Sequence, residues 1–595
     1  MSPRYSILKP LLALAASLAL AACTTVPAPR SDPAVTGGVA AANDPRAGAI
    51  GEAILRKGGS ASDAAIAMMF ALSVLEPQST GLGGGGFLVL GDPAGKVETL
   101  DGREVAPAAA GPDWFIGADG KPVSRGAAVG SGLSIGVPGN VALAAEAWKR
   151  HGRLPWTDLI APALALARDG FPITPRLSGS LASFPEIAAR DPAGKAMFYG
   201  KDGAAPAAGT VVHLPALAET LQMIAQQGPD SFYRGDFAKR MADTIAADTP
   251  RRAGMTAADI ADYRVKEREP VCALYRLYRV CTMGPPSSGG YAVLAILKQL
   301  EPTDLAALGL RNPQTWHRFL EAQRLAYADR AGYIADPGFV AVPMAGLLDP
   351  GYLTGRAALI DPAKAMPAAP VGQPAGVPVA QAPGGGWPEQ GTTHFVAVDA
   401  AGDMASFTST VEAAFGSGLA YGGFYLNNEL TDFAFQPEAN GRPAVNRVEG
   451  GKRPASSMAP VVIYDPQGRP WFSVGAAGGS LIPVQTARAI IGVIDFRLPL
   501  REALGLPFVM AMGDDGVLVE KDTWMEALGP AFLALGHKQV RPFDQLLRTT
   551  GALRVGNGWE AAYDPRLEAL VTIPDAPQDA PARDAGFSEG QRSQD

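Results

Sequence analysis

Thr392 follows a glycine at the point where a Pro/Gly/Ala-rich tract, residues 365–390, meets the apolar run Phe395-Val396-Ala397-Val398. A proline-rich tract packs poorly, whereas a short apolar run bounded by polar residues suits a buried strand. The junction therefore sets an accessible segment directly against a core strand, with a hydroxyl residue between them. Were the Gly391–Thr392 bond cut, Thr392 would carry a free α-amine beside its own hydroxyl. A threonine hydroxyl is a weak nucleophile at neutral pH, and an N-terminal amine supplies the base it needs within one residue. Gly391, lacking a Cβ, tolerates the strained geometry in which that hydroxyl attacks the preceding carbonyl. An ordinary linker entering a strand has the same composition, since threonine is common in strands. The rest of the chain has to decide.

Downstream stand Thr408-Ser409-Thr410-Val411-Glu412-Ala413-Ala414-Phe415-Gly416-Ser417-Gly418 and Leu426-Asn427-Asn428-Glu429-Leu430-Thr431-Asp432-Phe433. Lys452-Arg453-Pro454-Ala455-Ser456-Ser457-Met458 and Gly475-Ala476-Ala477-Gly478-Gly479-Ser480 follow. In this order the motifs resemble the γ-glutamyltransferase (γ-glutamyl transpeptidase) family of N-terminal-nucleophile hydrolases, over about residues 41–566. The resemblance implies an α+β fold, a four-layer αββα sandwich assembled from two autoproteolytic fragments. It implies acyl transfer: Thr392 attacks the γ-glutamyl amide of a glutathione-like compound, and water or an amine takes the acyl group from the acyl-enzyme.

The same resemblance assigns roles. Thr410 matches the residue that hydrogen-bonds the nucleophile. Backbone N–H groups of Gly478 and Gly479 would hold the oxyanion, where glycine permits a close approach. Arg103, in Asp101-Gly102-Arg103-Glu104, would clamp the substrate α-carboxylate with Ser456 and Ser457, a task that suits a planar fork. Glu429 and Asp432 would hold its α-ammonium. Outside the resemblance, Arg103 reads equally as a partner of Asp101 or Glu104, and the other polar residues as turns or caps.

Two features depart from the family. Many members have asparagine where this chain has Glu412, and another carboxylate there either binds an ammonium or changes the acyl donor. The segment 434–455 is shorter than in relatives with a lid over the site, and Phe435 is its one aromatic. An open site admits water and bulkier acyl groups. A cephalosporin (glutaryl) acylase on the same fold is therefore the alternative activity. A non-catalytic exported binding lipoprotein is a further reading, opposed by the intact set of motif residues.

Other motifs fit less well. Gly81-Leu82-Gly83-Gly84-Gly85-Gly86 matches G-x-G-x-x-G, yet a helical pattern precedes it and a strand follows, the reverse of a dinucleotide site. The glycines more simply let backbone pass close to backbone near a site. Gly132-Leu133-Ser134-Ile135-Gly136 matches a nucleophile elbow, but Val137-Pro138-Gly139 interrupts the helix that the motif requires. None of the five histidines sits in a triad setting. No Cys/His cluster has metal spacing, and no metal or other cofactor is implied.

The elements that must position these residues are partly legible. Helices are expected over 44–57, 62–75, 141–150, 156–168, 216–227, 237–247 and 315–329, with capping chemistry at Asn43-Asp44-Pro45 and Ser60-Ala61-Ser62-Asp63. The stretch 62–75 is apolar nearly all round and is expected to be buried. The motif 321–330 reads as structural. After Thr392 the chain reads as strands and turns, then strands and helices, including a strand over 471–474 and a helix from Pro483. Residues 272–281 read as a hairpin turning at Arg276-Leu277, which sets Cys272 across from Cys281 at a non-hydrogen-bonded pair, close enough to bridge. The turn lacks the usual glycine or asparagine, and a shifted register would separate the sulfurs.

The chain has 595 residues, a net charge of −7 and 47% hydrophobic residues, enough for a large core and without a basic stripe for nucleic acid. Arg4 and Lys9 precede an apolar run, 11–22, ending in Leu20-Ala21-Ala22-Cys23, which looks like a bacterial lipobox. The expected organisation is a signal peptide over 1–22, a lipidated tether over 23–40 and a large subunit over 41–391 with a flexible end at 365–391. A small subunit over 392–573 and a disordered tail over 574–595 complete it. The expected product is a heterodimer of its own fragments, exported to the periplasm and tied to the outer membrane only through a lipid on Cys23.

Overall fold

Polar and apolar residues do not alternate in the strand that starts at Thr393, and its burial explains why. Phe395 and Ala397 join one hydrophobic core, Val396 and Val398 another, and all four are inaccessible to solvent. A strand covered on both faces has no polar side to present.

The structure, a computed structural model of the continuous chain, describes residues 37–376 and 391–573 apart from Arg252, Asn440, Asp515 and Gln545. The expected signal peptide, Cys23 and most of the tether lie outside these residues, as do 377–390 of the Pro/Gly tract and the tail. Twelve strands build the two main sheets: β1 Val39–Ala42, β2 Gly85–Gly91, β3 Val97–Gly102, β4 Lys266–Arg268, β5 Val271–Tyr275, β6 Tyr278–Thr282, β7 Thr393–Val398, β8 Met404–Thr410, β9 Val461–Tyr464, β10 Pro470–Ala477, β11 Arg548–Val555 and β12 Gly558–Tyr563. One six-stranded sheet runs β1-β7-β8-β2-β3-β4 and the other β12-β11-β10-β9-β6-β5, with antiparallel neighbours throughout. The fold is mixed α and β.

Helices α1 Pro45–Arg56, α2 Ala61–Leu75, α3 Asn140–His151 and α4 Trp156–Asp169 share a core with Phe395, Ala397, Ala405 and Phe407 of the first sheet. Helices α5 Ser288–Leu300, α6 Pro313–Tyr333 and α7 Ile482–Ile494 share the other core with Val461, Val462, Phe472 and Val474 of the second sheet. Local chemistry sets the helix starts. Asp44 accepts from Arg46 N, and Ser60 and Asp63 form a reciprocal capping box at α2. Every residue of α2 is buried, as its all-round apolar pattern anticipates.

The expected helices appear with ends shifted by a residue or a few, and α5 and several short helices before Thr392 join them. The hairpin β5–β6 has the anticipated register, Tyr275 opposite Tyr278 and Cys272 opposite Cys281, and the two cysteines are disulfide-bonded. The turn closes without glycine because Arg276 itself takes a left-handed φ of 56° and is held by Glu301 and Asp495. No helix among the described residues is long and apolar enough to cross a membrane.

Candidate active site

The strand β7 presents Thr392 at its N-terminal edge, and the antiparallel strand β8 ends beside it at Thr410. Thr392 Oγ lies 2.8 Å from Thr410 Oγ, and Glu412 N donates to Thr410 Oγ at 2.8 Å. Both threonines are almost fully buried in the continuous chain. Thr392 N donates to Ser79 O at 2.8 Å, and the Arg548 guanidinium donates to Thr392 O and Gly391 O, each at 2.9 Å.

The backbone is strained where the chemistry is expected. Thr392 has φ 76° and Glu412 φ 78°. A β-branched residue at positive φ is a sterically unfavourable arrangement, costing on the order of 1–3 kcal/mol. Gly391 is required by contact: a Cβ there would stand 2.0 Å from Glu412 O. The glycine run has the same cause, since a Cβ on Gly84 would stand 1.9 Å from Thr410 O. The run passes bare backbone beside Thr410 and lends the Gly84 carbonyl to Gly139 N and Asn140 N at the start of α3, while its own order, α2 before and β2 after, is the reverse of a dinucleotide site.

A charged cluster adjoins the threonines through Glu412. Its carboxylate meets Arg125 Nη2 at 2.5 Å and accepts from the Asn428 amide, and Arg125 also donates to Thr431 O at 2.9 Å. Arg103 Nη2 lies 2.5 Å from Asp432 Oδ2, Arg103 Nη1 pairs with Glu429, and Arg103 reaches the carbonyls of Pro454 and Ala455. Those carbonyls immediately precede Ser456 and Ser457. Ser456 Oγ accepts from Met458 N, and Ser457 Oγ accepts from Arg330.

Burial pushes two carboxyls of this cluster up to about 7. Glu412 is raised by desolvation and then by Asp432, against the pull of Arg125. Glu104, beside Arg103 and against Glu429, is raised by desolvation that the Arg103 charge only partly offsets.

Gly478 and Gly479 follow β10, whose last residue, Ala477, is paired with Arg548 across the ladder. They therefore belong to the corner from which Arg548 reaches Thr392. Within segment 434–455, Glu438–Ala439 pair antiparallel with Arg442–Pro443, and Phe435 stacks on Phe115 at 4.2 Å. Ser134 does not stand in an elbow: its hydroxyl donates to Val129 O and Ser131 O, and an extended Ile135 follows.

Sequence reasoning missed Ser79, Arg125 and Arg548, and treated Glu104 only as a partner for Arg103. It also missed a grouping of His317, Glu321 and His537, whose donor atoms lie within 4.8 Å of one another. These are engaged with protein. The two histidines hydrogen-bond at 2.9 Å, His317 also contacts Asp361 O, and Glu321 takes Arg324 and Met366 N.

Comparison with known proteins gives the family. The family model described as gamma-glutamyltranspeptidase matches residues 47–572. The glutathione hydrolase proenzyme of Escherichia coli K12 is 35% identical over 544 residues, 89% of this chain and 90% of that protein. The acylase ACY 1 proenzyme of Pseudomonas sp. SE83 is 35% identical over 512 residues, 85% of this chain and 87% of its own. The crystal structure of cephalosporin acylase from Bacillus halodurans superposes with a TM-score of 0.77 at 27% identity, covering 91% of this chain and 97% of that one. With most of its length matched by the family model and by relatives above one-third identity, the chain belongs to the γ-glutamyltranspeptidase family.

Proposed function

We propose that this protein is a proenzyme that cuts its own Gly391–Thr392 bond and then acts as a γ-glutamyl hydrolase and transferase on glutathione-like compounds. The observation that carries the reading is the hydrogen-bonded chain from Thr392 through Thr410 to Glu412, whose carboxyl feels the charges of Asp432 and Arg103 in the neighbouring Arg103–Glu429–Asp432 cluster. A nucleophile and a site of opposed charges stand side by side, which is what a substrate with a zwitterionic end and a reactive amide requires.

In turnover, the free amine of Thr392 takes the proton as Thr392 Oγ attacks the γ-carbonyl, then returns it to the leaving amine. Gly478 and Gly479 N–H groups hold the developing oxyanion. Arg103, with Ser456 and Ser457, takes the α-carboxylate, and Asp432 and Glu429 take the α-ammonium. The sheets and their helices form the four-layer αββα sandwich of N-terminal-nucleophile hydrolases, with 41–391 and 392–573 as the two subunits. The lipobox supports export and anchoring at Cys23.

A dicarboxylic-acyl amidase is the second reading. Glu412 is already paired with Arg125, so this site carries an arginine contact at the position where many relatives offer a neutral amide. Likeness to a cephalosporin acylase and to an acylase proenzyme supports it too. Parallel assays of the mature protein on γ-glutamyl and glutaryl anilides decide. A kcat/KM at least tenfold higher for the γ-glutamyl compound is expected, and the reverse preference makes the protein a glutaryl-type acylase.

A further inference from the structure

We propose that Arg548 is the oxyanion donor for the self-cleavage at Gly391–Thr392, a role distinct from that of the glycine N–H groups in turnover. The inference rests on the self-cleaving reading above and deepens it. Arg548 opens β11 and is almost fully buried, with its backbone N donating to Gln485 Oε1 at 2.9 Å. Its Nη2 donates to Gly391 O and its Nη1 to Thr392 O, each at 2.9 Å. The guanidinium fork thus holds the carbonyls on both sides of the residue whose amide must break.

The first of these is the reacting carbonyl. When Thr392 Oγ attacks the Gly391 carbon, the C=O electron pair moves onto Gly391 O, the atom that Nη2 already contacts. The hydroxyl proton passes to Thr392 N, the C–N bond breaks, and Gly391 becomes an ester of Thr392 Oγ with the α-amine free. Water then hydrolyses that ester to a Gly391 carboxylate and the Thr392 hydroxyl. Negative charge gathers on Gly391 O in each addition and remains in the carboxylate product. A cation fixed in a dry site stabilises each of these anions without reorganising.

The surroundings hold the fork in place. Ser79 O accepts from Thr392 N, and Ser79 Oγ accepts from Arg176 Nη2 at 2.7 Å. Arg176 Nη1 in turn pairs with Glu76 at 2.6 Å. The strain at Thr392 adds a driving force, because its φ is defined through the Gly391 carbonyl carbon and ceases to exist once the bond is cut. Arg548 stays cationic at neutral pH although burial and the nearby Arg176 lower it to about 9.

The test follows maturation of the full chain by denaturing gel and intact mass, for wild type, Arg548→Lys and Arg548→Gln. The fold of each is checked by thermal melt beside Thr392→Ala. Loss of one oxyanion donor predicts that Arg548→Gln matures about 100-fold or more slowly than wild type. Arg548→Lys, which keeps the charge and loses the fork, should fall between. If Arg548→Gln does not fold, the Arg548→Lys half-time decides alone. Maturation of a folded variant at the wild-type rate overturns the inference. So does an equal slowing in both variants accompanied by a lowered melt, which marks a structural role. If wild type itself never matures, the self-cleaving reading fails first.

Discussion

Arg103 Nη2 stands 2.5 Å from Asp432 Oδ2, so two residues assigned to opposite ends of one substrate hold each other in the free protein. Glu429 completes the pairing on Nη1. A zwitterionic ligand entering here would exchange these internal ion pairs for its own, its carboxylate on the arginine and its ammonium on the acids. The unliganded site then keeps no isolated buried charge, which would be costly.

Removing Arg103 should therefore harm the fold as well as binding. Arg103→Gln leaves the buried Glu429 and the half-buried Asp432 without their cation, and a loss of roughly 3 kcal/mol is expected. Chemical denaturation of the Thr392→Ala background, which separates folding from maturation, measures it. In whatever mature enzyme forms, KM for a γ-glutamyl anilide should rise at least tenfold while kcat changes less, since the contact is made in ground and transition states alike.

Thr410 should act through Thr392. Thr410→Val removes the hydroxyl that contacts Thr392 Oγ and accepts Glu412 N, and both maturation and kcat should fall by about tenfold to a hundredfold. Thr410→Ser should restore most of each rate. Equal damage in both variants would contradict the hydrogen-bonding role.

The pH dependence follows from Glu412 and Glu104, both lifted to about 7 by burial. A carboxyl raised in the folded state binds its proton more tightly there than in the unfolded chain. Its stabilisation is complete below the ordinary value of 4.5 and is lost as pH rises through about 7. Melting temperatures measured between pH 4.5 and 8 should show this decline in wild type, and Glu412→Gln should flatten it. Over the same range kcat/KM for an ammonium-bearing donor should rise as Glu412 ionises, and the Gln variant should lose that rise.

Gly84→Ala tests the close passage under the threonines. The added Cβ meets Thr410 O at 1.9 Å with only backbone to yield, so overpacking of about 1–3 kcal/mol and slowed maturation are expected. Denaturant midpoints and gel time courses report the two effects.

What the sequence disclosed was local. The caps at Asp44 and Ser60, the apolar strand after Thr393 and the hairpin bringing Cys272 to Cys281 each rest on residues within a short stretch, where propensity and periodicity operate. The motif residues around Thr392 were legible through their order in a known pattern. What stayed hidden depends on distant pairings. Arg548 and Gly391 are 157 residues apart, Arg125 and Glu412 287, and His317 and His537 220. An arginine in a sequence looks like a surface charge, and only the packing of β11 against β7 turns Arg548 toward the carbonyls of Gly391 and Thr392. Residues 1–36, which contain the lipobox, lie outside the described structure, so export remains part of the proposal.

The most direct measurement is the intact mass and N-terminal sequence of the purified protein, wild type beside Thr392→Ala. The account predicts two chains from wild type, the smaller beginning at Thr392, and one uncut chain from the variant. A folded wild type that stays a single chain, or is cut elsewhere, would deny Thr392 its free amine and contradict the mechanism.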